Sequence, residues 1–101
     1  MKVRFLMVAK AEFDDAIEYY ETQQEGLGNR FSSNVQESIQ RIVAFPEAFH
    51  LLSKRTRRCL VTKFPYGIIY QHRKTSNEVL VVAVAHLHRK PDYWVSRTQQ
   101  T

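Results

Sequence analysis

Residues 79–85 read Val-Leu-Val-Val-Ala-Val-Ala, seven apolar side chains with no polar break. Along a strand, successive side chains point to opposite faces. An unbroken apolar run therefore reads as a strand buried on both sides and central in its sheet. This is the tightest constraint in the chain: Glu78 to His86 must lie inside a sheet that other parts of the protein cover. The run is also the longest apolar stretch, far short of the about 20 residues that span a bilayer.

The flanking segments supply that sheet and its cover. Lys2 to Val8 reads as a first strand, with Val3, Phe5 and Met7 alternating with Lys2, Arg4 and Leu6. Residues 9–25 read as an amphipathic helix, because Phe13, Ala16, Ile17 and Tyr20 fall on one stripe. Glu12, Asp14 and Asp15 fall in its early turns, where acids complement the helix dipole, and Gly26 or Gly28 can end it. A second helix runs from about Gly28 to Phe45, with Leu27 packing at its start and Phe31, Val35, Ile39 and Ile42 as its stripe. Pro46 stops it. So short a connection predicts an antiparallel helical hairpin.

Arg58 to Phe64 alternates and leads into Pro65-Tyr66-Gly67, a turn signal. Ile68 to Arg73 is the return strand, Lys74 to Asn77 a polar turn, and Glu78 to His86 the buried strand. A basic, aromatic tail, HRKPDYWVSR, closes the segment at 88–97. The order is β-α-α-β-β-β plus tail: an α+β fold with the hairpin on one face of a small, mostly antiparallel sheet. At 101 residues this is expected to be a single domain, 1–101. The other face, with the tail, is expected to carry much of the positive charge.

That charge is unevenly placed. Residues 1–47 hold 5 basic and 8 acidic side chains, whereas residues 48–101 hold 10 basic and 2 acidic. A cationic half suits a polyanion or an acidic protein partner. The single cysteine, Cys59, excludes an intrachain disulfide, and no secretory signal peptide is visible, so a cytoplasmic home is expected. Cys59 alternates with Val61 and reads as core rather than nucleophile.

No residue pattern marks a cofactor. The three glycines make neither a phosphate loop nor a dinucleotide fingerprint. His86 and His88 would share a strand face, but no third ligand accompanies them, so no metal is expected. A proton-transfer role for a histidine stays open. Arg55, Arg57, Arg58 and Lys63, then Arg73 and Lys74, then Arg89, Lys90 and Arg97 would form a phosphate-attracting patch if they converge. Tyr66, Tyr93 and Trp94 could stack on bases beside it, while Tyr70 reads as sheet packing.

These segments resemble the RelE/ParE toxin superfamily. The resemblance rests on Ala9 to Tyr20, on a second helix ending at Phe45-Pro46, on FPYGIIYQ at 64–71, on VLVVAVAH at 79–86, and on HLHRKPDYWVSR at 86–97. It covers nearly the whole chain. It implies a growth-inhibiting toxin of a type II toxin–antitoxin pair, of the kind first described as plasmid-stabilisation systems. A cognate antitoxin with an acidic binding segment would neutralise it in a heteromeric complex.

The superfamily divides into RelE-like ribosome-dependent mRNA endonucleases and ParE-like inhibitors of DNA gyrase. RelE-like members place basic residues where this chain has Leu60, Thr62, Gly67 and Leu87; only Arg58 matches, with Tyr93 as counterpart of their tail tyrosine. FPY-x-I-x-Y and the His86-x-x-Arg89 close resemble the ParE-like branch instead. A ParE-like binder is therefore expected. The alternatives are a metal-independent endoribonuclease using Arg58, His86, Arg89 and Tyr93, and a non-toxic nucleic-acid-binding module. Arg57, Arg58, Lys63, Arg73, His88, Arg89 and Lys90 are the candidates for binding target or phosphate.

Overall fold

A computed structural model describes residues 1–98; residues 99–101, the last three of the expected domain, lie outside the described residues. Strand β1 covers only Lys2–Phe5, because Leu6 caps helix α1 (Met7–Gln23) and accepts the Lys10 N–H at 3.0 Å. Met7, expected on the apolar strand face, is instead the first helical residue and is 90% exposed. With α1 starting there, no acid falls in its first turn. The expected dipole role of Glu12, Asp14 and Asp15 is therefore absent: that effect fades beyond the terminal turn.

Neither glycine ends α1, which stops at Gln23. Gly26 sits at φ +86°, a left-handed corner that favours glycine, and it precedes helix α2 (Leu27–Ala44). Gly28 is where the two helices touch: a Cβ there would lie 2.7 Å from the Ile17 carbonyl oxygen. Phe13 and Ala16 on α1, and Phe31, Val35 and Ile42 on α2, are buried, with Ile17, Tyr20 and Ile39 packed beside them. The hairpin stripes are those the spacing predicts.

The sheet adds β2 (His50–Leu51), β3 (Arg57–Leu60), β4 (Tyr66–Arg73) and β5 (Glu78–His86), in the order β1-β5-β4-β3-β2. Strands β1 and β5 pair in parallel and the other pairs are antiparallel. Strand β2 has no counterpart in the sequence reading, since two exposed residues are too few to show a period. The strand expected to reach Phe64 ends at Leu60. Beyond it the chain tightens: Val61 N–H donates to the Tyr66 carbonyl at 2.9 Å and Lys63 takes φ +68°. Tyr66 and Gly67, read as turn, therefore open β4. The bounds of β5 are those predicted, and it has a strand on each side, although β4 is the middle strand.

Both faces of β5 are covered, by different elements. On one side Cys59, Ile68, Tyr70, Val79, Val81 and Val84 pack against the helical hairpin. On the other, Ile69, Leu80, Val82, Ala83 and Ala85 pack under Trp94 from the tail. A register shift at Ile69/Tyr70 opposes Ile69 to Ala83 and Tyr70 to Val81, and Val82 is the extra residue. The second face is thus not the open cationic face expected. The tail folds back over it, because a strand apolar on both sides leaves that face needing a cover. Cys59 is fully buried, as expected. Tyr70 is fully buried too, with its hydroxyl donating to the Pro46 carbonyl at 2.7 Å, so it packs the interior and not an edge. Among the described residues no helix is long and apolar enough to cross a membrane.

Candidate target-binding site

The tail leaves β5 at His86 and doubles back, and the fold beneath it forms a cleft of roughly 200 Å³. Arg58, His86, Arg89 and Tyr93 all line this cleft, so the four residues proposed for proton or phosphate chemistry do converge. Arg58 comes from β3, and its side chain runs across Gly67 of β4. A Cβ at Gly67 would lie 2.9 Å from Arg58 Cγ, so the bare glycine makes room for the guanidinium stem. The Arg58 Nε is buried and has no hydrogen-bond partner among the described residues. A buried donor left without a partner costs about 1–3 kcal/mol.

His86 packs edge-on to Tyr66, with ring centroids 5.1 Å apart. Its Nδ1 accepts the His88 backbone N–H at 3.0 Å, so in the neutral ring the proton sits on Nε2. The two histidine rings lie 5.1 Å apart, but His88 has left the strand and is exposed. Among the described residues no group of three His, Cys, Asp or Glu side chains could hold a metal.

Arg89 and Tyr93 are tied to a residue that the sequence reading assigned elsewhere. The Arg89 guanidinium lies 3.7 Å from the centre of the Tyr93 ring, a close cation–π contact. Both then meet Glu12 of α1: the Tyr93 hydroxyl donates to Oε2 at 2.8 Å and Arg89 Nη1 reaches it at 3.4 Å. Arg97 clamps the same carboxylate with two donors, at 2.9 and 3.0 Å, and also donates to the Val82 carbonyl at 3.0 Å. The Val84 backbone N–H completes the set at 3.1 Å. The Glu12 and Arg97 side chains are each only 14% exposed, so this is a largely buried, bidentate ion pair.

Burial, and then donation to Glu12, push the Tyr93 phenol far above its ordinary value. Donation to Glu12 likewise raises Arg97. At neutral pH Tyr93 therefore keeps its proton and spends it on the hydrogen bond to Glu12. Glu12 carried a signal in the sequence: it sits three residues after Ala9 and four before Ala16, on the buried stripe of α1. Arg97 was read only as part of the basic patch.

That patch does not converge on one place. Lys90 joins Arg58 and Arg89 in the tail cleft, whereas Arg57 and Arg73 line a different cleft at the far end of β4. Lys63, in its left-handed turn, and His88 line neither. Of the aromatics proposed for stacking, Trp94 is 5% exposed and belongs to the core, and Tyr66 packs among Tyr20, Phe31 and His86. Leu87 lines the tail cleft and is 41% exposed; Leu60, 51% exposed, lies outside it.

Comparison with known proteins returns one family. The model described as ParE toxin of the type II toxin–antitoxin system parDE matches residues 3–91. No curated protein sequence matches the chain. Among solved structures, the chromosomal ParDE toxin–antitoxin system from P. aeruginosa is similar in fold, with a TM-score of 0.71 at 14% identity. The similarity covers 87% of this chain and 97% of that one.

Proposed function

Because the chain belongs to the ParE toxin family of type II toxin–antitoxin systems, we propose that it arrests growth by binding a protein target, DNA gyrase, and that a cognate antitoxin with an acidic segment neutralises it. One observation carries the preference for binding over cutting: Glu12 already holds the groups a nuclease would need free. Cleavage through a 2′-hydroxyl needs a base, an acid and uncommitted cations at the phosphate. Here Tyr93 is a locked donor and Arg89 is shared between the Tyr93 ring and a carboxylate. Leu60, Thr62, Gly67 and Leu87 add no charge at the positions where the RelE-like pattern has it.

The endonuclease reading keeps one observation in its favour, the gathering of Arg58 and His86 beside Arg89 and Tyr93 in a single cleft. Induction in a bacterial host, with transcript ends mapped before and after, separates the two. Growth arrest with unchanged mRNA ends, relieved by co-expressing the neighbouring small acidic open reading frame, is the expected result. Ribosome-dependent cuts within codons would overturn it.

A further inference from the structure

The cleft at the far end of β4 is the larger, at about 590 Å³. Five cationic side chains line it, Lys54, Arg55, Arg57, Arg73 and Lys74, against one carboxylate, Glu47. That carboxylate is already engaged: Lys74 lies 2.7 Å from it and His72 3.4 Å. Arg57 donates to the Phe49 carbonyl at 2.9 Å, and Arg73 to the Gln71 side-chain oxygen at 3.2 and 3.3 Å. Both acceptors are neutral, so they orient the guanidinium forks without cancelling their charge. Glu78 stands 3.8 Å from Arg73 and is shared with Arg4 at 3.3 Å.

Lys54 and Arg55 are exposed and carry no ion pair among the described residues. Their turn is nonetheless defined. Leu52 and Ser53 N–H both donate to the Thr56 carbonyl, at 2.8 and 3.3 Å, and Thr56 is 1% exposed. The cations are thus presented on a fixed loop. Planar guanidinium forks match phosphate oxygens, and Thr75 and Ser76 supply hydroxyls beside them. Among the described residues no Phe, Tyr or Trp side chain lines the cleft, and its one imidazole, His72, lies against Glu47 at 3.4 Å, so bases find little to stack on. Among the described residues Leu51 is the one aliphatic side chain there, so a peptide would find little apolar anchorage.

We propose that this cleft is a second binding site, separate from the tail cleft, that grips the phosphodiester backbone of double-stranded nucleic acid without reading its bases. The two sites share no lining residue: from β4 this cleft takes Gln71, His72 and Arg73, whereas the tail cleft takes Ile69. The site goes beyond the gyrase reading and stands without it, since it is tested on the isolated toxin.

The test is fluorescence anisotropy of the purified full chain with a labelled DNA duplex of about 20 base pairs, from about 50 to 200 mM salt. Binding should weaken steeply with salt. Lys54→Glu with Arg55→Glu should lower affinity at least about tenfold and flatten the log–log salt slope by about 2. These side chains make no contacts the fold needs, and circular dichroism should be unchanged. Lys54→Gln with Arg55→Gln should give a smaller loss in the same direction. Arg58→Ala with Arg89→Ala should change affinity less than about threefold. Absence of duplex binding, or a loss confined to the Arg58/Arg89 variant, would overturn the proposal. So would a poly-glutamate peptide of equal charge binding as tightly as the duplex, which would point to an acidic protein partner.

Discussion

Against α1 and α2 the sheet is covered by large apolar side chains; against the tail it is covered by one indole and an ion pair. On the helix side Phe13, Phe31, Tyr20, Phe64 and Tyr66 form a continuous aromatic cluster, with ring centroids mostly 5 to 6 Å apart. Such packing is non-directional and scales with buried area. On the tail side the apolar cluster is small, and Trp94 is its main cover. What fixes the tail is directional: Arg97, Tyr93 and Arg89 all converge on Glu12, which α1 supplies from more than seventy residues away in sequence. The helix side makes the fold. The tail side makes a surface whose shape depends on one carboxylate.

If that contrast is right, substitutions on the two sides should differ in kind as well as in size. Phe31→Ala should be the most damaging, costing about 3–5 kcal/mol by chemical denaturation, while the native state keeps its Trp94 emission. Glu12→Ala should cost about 3 kcal/mol, because it strands a buried guanidinium. It should also shift the emission of Trp94, the single tryptophan, to the red as the tail loosens. An unshifted spectrum in Glu12→Ala would break the comparison.

Alkaline titration sharpens it further. Burial pushes the Tyr70 phenol up to about 12, above the unfolded value near 10. The folded state therefore favours the protonated ring. That contribution is fully present below about pH 10 and is lost as pH rises toward 12. Tyr93 is shifted in the same direction by burial and by donation to Glu12. Stability should fall above pH 10, and less steeply in Tyr70→Phe, which at neutral pH loses about 1 kcal/mol with its hydrogen bond. The smallest effect belongs to Lys10→Ala. Its 2.6 Å pair with Asp14 lies on the exposed side of the helix that carries Glu12. Loss of that pair should cost less than about 0.5 kcal/mol.

The helical hairpin, the bounds of β5 and the toxin family were legible in the sequence, because period, proline and motif order are local signals. Strand β2 was not, since His50 and Leu51 pair only through the backbone of β3. The tail's place was implicit in the run at 79–85. A strand apolar on both faces demands two covers, and Trp94 was the large side chain left to supply the second. Glu12 was misread because its position on the buried stripe looks like an early-turn acid if α1 is started two residues late. The candidate site was legible as a set, Arg58, His86, Arg89 and Tyr93, but not its commitment to Glu12. Nor was the splitting of the basic patch, since strand ends decide that and residue spacing does not.

The central claim is that this surface binds and does not cut. Inhibition of gyrase-catalysed supercoiling by the purified toxin, wild type beside Tyr93→Phe, tests it most directly. The account predicts that both inhibit, because the Tyr93 hydroxyl is turned to Glu12 and its loss leaves the Arg97–Glu12 pair in place. A wild-type toxin that leaves supercoiling untouched would contradict it.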